Sequence, residues 1–254
     1  TFNIGGAYEK AGDMRKAITF YEQALKLFQE VGDQFSEAAA LSSIGWDYAS
    51  LGEREKALDY YNRALTLQRK NNNKVGEATT LNNMGMAYDA IGQKPKALET
   101  YQLALAIYQT NGGRADQAVV YSNIGYSLSS SGDRKGALEY FVKALSIYRE
   151  ISDKEGEARA LADIGLIYSA WGEMKKTEDL WNESLAIYRS NGDKNGEAGM
   201  LAAFGFFLNS ANNFAKALEN FVKAAEMCAG VEDKMCVATT QVGLGIAYTG
   251  LAEY

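Results

Sequence analysis

Amide, carboxylate and aromatic side chains recur in this sequence at one fixed spacing. Asn3, Ser43, Asn83, Asn123 and Asp163 fall 40 residues apart, each two places ahead of a glycine. A side-chain amide carries both a donor and an acceptor. A ladder of such groups can hold the backbone of an extended peptide without reading its sequence. Asn82 stands beside Asn83 and adds a second amide to that repeat. Another column follows the glycine: Trp46, Met86, Tyr126, Leu166, Phe206 and Ile246. Aromatic residues and Met are favoured as anchors at interaction surfaces. Each column also has a plainer reading. The amides could satisfy neighbouring helix ends or face water, and the apolar residues could be buried between successive helices. The candidates for contact with a partner are Ser43, Trp46, Asn82, Asn83, Met86, Asn123, Tyr126 and Asp163, centred on residues 39–130.

Other chemistry is excluded by composition. The chain has no histidine, which removes Ser-His-Asp and Cys-His catalysis and His-ligated metals. No glycine-rich phosphate loop or nucleophile motif occurs. The expectation is a protein that is not an enzyme, with no cofactor and no metal. Two cysteines, Cys228 and Cys236, are too few for a zinc site. They read as two free thiols in partly buried positions, with a single disulfide as the alternative. Net charge is −6, and Lys and Arg are scattered rather than clustered, so no nucleic-acid footprint is visible. No contiguous apolar run approaches the roughly 20 residues that span a bilayer. No nucleic-acid partner, no membrane and a cytoplasmic location are expected.

These side chains must be positioned by a repeating scaffold. Gly5, Gly45, Gly85, Gly125, Gly165, Gly205 and Gly245 lie 40 residues apart over the 254-residue chain. Such a period signals a solenoid whose units touch only their neighbours. Within residues 37–76, Leu41, Ile44, Gly45 and Tyr48 have helical spacing, as do Ala57, Tyr61, Ala64 and Leu65. Each repeat is therefore a helix A, a short turn, a helix B and a loop. Gly12, Gly52, Gly92, Gly132 and Gly172 close helix A. Asp33, Asp153 and Asp193 are candidate N-caps for the next helix A. The aromatic column Tyr21, Tyr61, Tyr101, Phe141, Trp181 and Phe221 fills space between helices, and flanking alanines allow close approach.

Leu41, Ile44-Gly45, Tyr48, Ala57, Tyr61 and Ala64, repeated as Leu81, Met84-Gly85, Tyr88, Ala97, Tyr101 and Ala104, resemble the tetratricopeptide repeat. The long form is similar to the arrays of kinesin light chains and of bacterial proteins that carry a CHAT protease. The period departs from the usual repeat of about 34 residues, and Asn212 replaces the turn glycine near the C-terminus. The resemblance implies an all-α, right-handed superhelix of about six and a half helix pairs. It implies a single solenoid over 1–254, with repeats at about 1–36, 37–76, 77–116, 117–156, 157–196 and 197–236 and a partial repeat at 237–254. The chain reads as cut from a longer array, so end-to-end self-association is expected. By the same resemblance the candidate residues line a concave groove that binds a peptide or protein segment. The alternative is a regulatory sensor array within a larger bacterial effector.

Overall fold

The computed structural model describes residues 1–230 and 233–252. Val231, Glu232, Glu253 and Tyr254 lie outside the described residues, the last two within the expected partial repeat. The described residues form thirteen α-helices and no strand. The odd-numbered helices are the A helices: α1 (Phe2–Lys10), α3 (Gln34–Ser50), α5 (Lys74–Ala90), α7 (Arg114–Ser130), α9 (Lys154–Ala170), α11 (Lys194–Ser210) and α13 (Lys234–Ala252). The even-numbered helices are the B helices: α2 (Met14–Val31), α4 (Arg54–Lys70), α6 (Lys94–Asn111), α8 (Arg134–Glu150), α10 (Met174–Asn191) and α12 (Phe214–Gly230). Two compact units divide the chain, Thr1–Tyr140 and Phe141–Tyr254.

The turns follow from their chemistry. Asp33, Asp153 and Asp193 accept hydrogen bonds from the amides three residues on, at 3.1, 2.9 and 2.9 Å, as N-caps do. Helix A ends where the chain turns left-handed, with φ of 81° at Gly52 and 79° at Gly92. Glycine adopts that conformation without a steric penalty. Asn212 takes the same turn with φ of 57°, within the tolerance of asparagine for left-handed backbone.

In the first unit, Tyr61 of α4 lies across Gly45 of α3, where a Cβ would meet the ring at 2.7 Å. Tyr101 of α6 covers Gly85 of α5 in the same way. The glycine column therefore seats the aromatic of its own repeat, and Ala57, Ala64, Ala97 and Ala104 are fully buried beside it. In the second unit Trp181 and Phe221 anchor a core with Leu201, Phe204 and Phe207.

One expectation is corrected. Cys228 and Cys236 form a disulfide, with Cα atoms 5.6 Å apart. The end of α12 and the start of α13 converge, so a sequence separation of eight residues becomes a bridgeable distance. By length and composition, α13 is also sufficient to cross a membrane. Its apolar character is spread over Gly, Ala and Thr as well as larger residues, so no contiguous run announces it. Here it packs on α12 and α11.

Candidate functional site

The A-helix face of the first unit carries seven of the eight candidate residues. Trp46 on α3, Met86 on α5 and Tyr126 on α7 are 36%, 39% and 43% exposed, although the residues immediately before them in sequence, Gly45, Gly85 and Gly125, are buried. Helix periodicity explains the contrast, because a step of 100° turns the side chain away from the paired B helix. Asn83 and Asn123 are half-buried on the same face, as is Ser43, which lies within hydrogen-bonding reach of the Tyr21 hydroxyl. Asn82 is buried. It accepts a 2.8 Å hydrogen bond from the Asn123 side chain, joining α5 to α7. One rung of the amide column thus ties neighbouring helices together. Asp163 belongs to the second unit, half-buried on α9, where Leu166 is exposed.

A cavity of about 210 Å³ opens on the face of the first unit. Trp46 and Met86 form apolar walls, Asn83 and Arg54 supply polar groups, and Tyr61 also lines the cavity with its hydroxyl sealed from solvent. Ala49 and Ala87 leave the space empty of side chain. Three of the eight candidate residues, Trp46, Asn83 and Met86, meet in this one place.

The same register one repeat later holds a closed cluster. There Tyr101 donates to Asp89 at 3.1 Å, Ser127 donates to Asp89 at 2.8 Å and Lys94 pairs with it at 3.0 Å. In the first repeat Tyr21 donates to Glu9 at 2.6 Å. Position 49 is the 40-residue counterpart of Glu9 and Asp89, and it is alanine. Position 87, the counterpart of Ser127, is alanine too. Tyr61 and Arg54, the counterparts of Tyr101 and Lys94, remain. The Tyr61 hydroxyl is buried without a hydrogen-bond partner among the described residues. Among the described residues the Arg54 guanidinium makes a long 3.4 Å bond to the Gly52 carbonyl.

Burial is the main reason that Tyr61, Tyr21 and Tyr101 all hold their phenolic protons more tightly than usual. Asp47 adjoins this region. It is 0% exposed, and neither carboxylate oxygen has a partner. Burial first, and then the charge of Glu9, pushes its pKa up to about 7.

Tyr61, Arg54, Ala49 and Asp47 were not among the sequence candidates. Comparing columns 9, 49 and 89 with columns 54 and 94 would have found the first three, since donors persist where the acceptor is lost.

Known proteins place this arrangement in a family. A model described as tetratricopeptide repeat matches residues 1–70 and 116–190, and a second with the same description matches 78–111. The chain belongs to the tetratricopeptide repeat family. The crystal structure of BtubC (BKLC) from P. vanneervenii is similar, with 18% identity and a TM-score of 0.74, covering 87% of this chain and 92% of that one. A Rap protein complexed with Competence and Sporulation Factor is 19% identical, with a TM-score of 0.71, covering 99% of this chain and 75% of that one. The Rap conjugation gene regulator of the plasmid pLS20, in complex with the Phr* peptide, is 16% identical, with a TM-score of 0.67, covering 98% and 72%. At these identities the likeness is one of fold. No curated protein matches the sequence.

Proposed function

We propose that the chain is a protein-interaction scaffold that holds an extended peptide or protein segment along the A-helix face of its first unit. The observation that carries this reading is the exposed column Trp46, Met86 and Tyr126 beside a cavity with polar groups on its walls. Exposed apolar residues in a regular stripe mark a contact surface, and Asn83 offers hydrogen bonds to a bound backbone. Two similar folds are complexes with Competence and Sporulation Factor and with the Phr* peptide, which supports a peptide as partner. The action is binding, with no reaction on the bound segment.

Random-peptide display on the intact chain, counter-screened on the Trp46→Ala/Met86→Ala variant, tests the reading. Enriched peptides should lose binding to the variant. Peptides that bind both forms equally would contradict it. Self-association belongs to the same proposal, supported by the exposed Met235, Val242, Ile246 and Tyr248 on α13, and light scattering that finds only monomer removes it. The proposed cytoplasmic location is in tension with the Cys228–Cys236 pairing, because disulfides persist mainly in oxidising compartments.

A further inference from the structure

We propose that the junction of α1 with α3 is a pH-sensitive latch: Asp47 keeps it closed while it carries a proton, and loss of that proton to water, in the presence of Glu9, releases α1 from the array. The device sits at the N-terminal edge of the first unit, and it holds whether or not the A-helix face binds a peptide.

Positions 9 and 47 share the 38-residue separation of Asp89 and Ser127. In that later pair Ser127 donates to Asp89 at 2.8 Å, Tyr101 donates to it at 3.1 Å and Lys94 supplies a cation at 3.0 Å. At the N-terminal edge the tyrosine bond is kept, with Tyr21 donating to Glu9 at 2.6 Å. The hydroxyl of Ser127 is exchanged for a second carboxyl, Asp47, and the cation of Lys94 for Met14. Two acids thus take positions that hold one acid, one hydroxyl and one cation two repeats on. Asp47 is fully buried, and neither of its oxygens has a partner among the described residues. An unpaired buried carboxylate is costly, so the group keeps its proton. Around it, α1 presents Glu9, α2 the Tyr21 hydroxyl and α4 the Tyr61 hydroxyl, while α5 brings no charge that acts on it. Burial and then the charge of Glu9 oppose its ionisation. Once ionised, Asp47 is relieved by admitting water, and α1 is the element that can give way. It has nine residues, too few for a helix to persist without packing, and end segments open at the least cost. Its release uncovers the Tyr21 ring that lies across Gly5 and the Phe28 ring beside Phe2.

Amide hydrogen exchange of the full chain reads the latch at pH 5 and pH 7.5, expressed as protection factors so that the intrinsic effect of pH cancels. Asp47 titrates at about 7 when the latch is closed and near the ordinary value of about 3.9 when it is open. Between these values each pH unit favours opening by up to about tenfold. The α1 amides of wild type should therefore lose about tenfold or more in protection at the higher pH. At that pH their exchange should be insensitive to low urea, the mark of an opening that exposes little surface. Asp47→Asn should make α1 protection independent of pH. Asp47→Ser installs the residue of position 127, should do the same, and serves if the Asn variant does not fold. Glu9→Gln should shrink the wild-type change without abolishing it, because burial is the larger cause. Equal α1 protection at both pH values in wild type would overturn the latch, as would a pH effect that survives the Asp47 substitutions. Exchange of α1 with the urea dependence of whole-chain unfolding would overturn the separate release of this helix.

Discussion

The repeats at 37–76 and 77–116 share backbone, register and aromatic column, yet one holds a cavity and the other a closed polar cluster. Around Tyr101, Asp89 receives donors from α6 and α7, and the space between the helices is filled. Around Tyr61 the donors persist, the acceptor is gone, the hydroxyl is sealed from solvent and a cavity opens beside it. Because each repeat supports its neighbours through the glycine, alanine and aromatic columns, a change at position 49 alters the surface without altering the fold. A solenoid can therefore exchange an internal tie for an open cavity by changing one side chain.

The largest expected effect concerns Asp47, a buried acid that feels the charge of Glu9 and lies near both Tyr21 and Tyr61. Its folded-state pKa of about 7 lies above the ordinary carboxylate value of about 3.9. Between those values the folded chain binds more protons than the unfolded one, so stability is greatest at the acid end and falls as pH rises towards 7. Three units correspond to a loss of about 4 kcal/mol at most. Urea unfolding of wild type should show lower stability at pH 8 than at pH 5, and Asp47→Asn should remove most of that difference. A pH-independent wild type would show that the Asp47 carboxylate finds a partner in solution.

A smaller effect is expected on the closed side. Asp89→Ala should destabilise the chain by about 1–3 kcal/mol, because it leaves the Tyr101 hydroxyl, Ser127 and Lys94 without their shared acceptor. The same urea titration reads it, and an unchanged midpoint would mean that the cluster contributes nothing.

The finest comparison is between the two tyrosines. Tyr101→Phe should cost about 1 kcal/mol, the worth of one hydrogen bond. Tyr61→Phe should be neutral or slightly stabilising, because it removes a buried hydroxyl that has no partner. Equal losses at both positions would erase the difference between the repeats.

Much of the scaffold was legible in the residues. The 40-residue glycine column, the helical spacing of Leu41, Ile44 and Tyr48 and the caps at Asp33, Asp153 and Asp193 are local signals, and each appears in the structure where the sequence placed it. The site was legible only in part. Trp46, Asn83 and Met86 come together, because one helical face repeats along successive A helices. Asn123 bonds to Asn82 instead of extending a ladder through Asn83. A helical wheel places both amides on one arc, and the crossing of α5 with α7 decides which is reached. The Tyr101–Asp89 and Ser127–Asp89 bonds span 12 and 38 residues in sequence, so the meaning of Ala49 emerges only when the columns are compared in space. The disulfide escaped for a similar reason, because its cysteines converge through the turn between α12 and α13.

Ala49→Asp is the most direct test of the central claim, since it restores to this repeat the acid that Asp89 provides in the next. Wild type and the variant are unfolded in urea at neutral pH. The account predicts that Ala49→Asp stabilises the chain by about 1 kcal/mol, as the internal carboxylate takes the Tyr61 and Arg54 donors. An unchanged or lowered stability would contradict it.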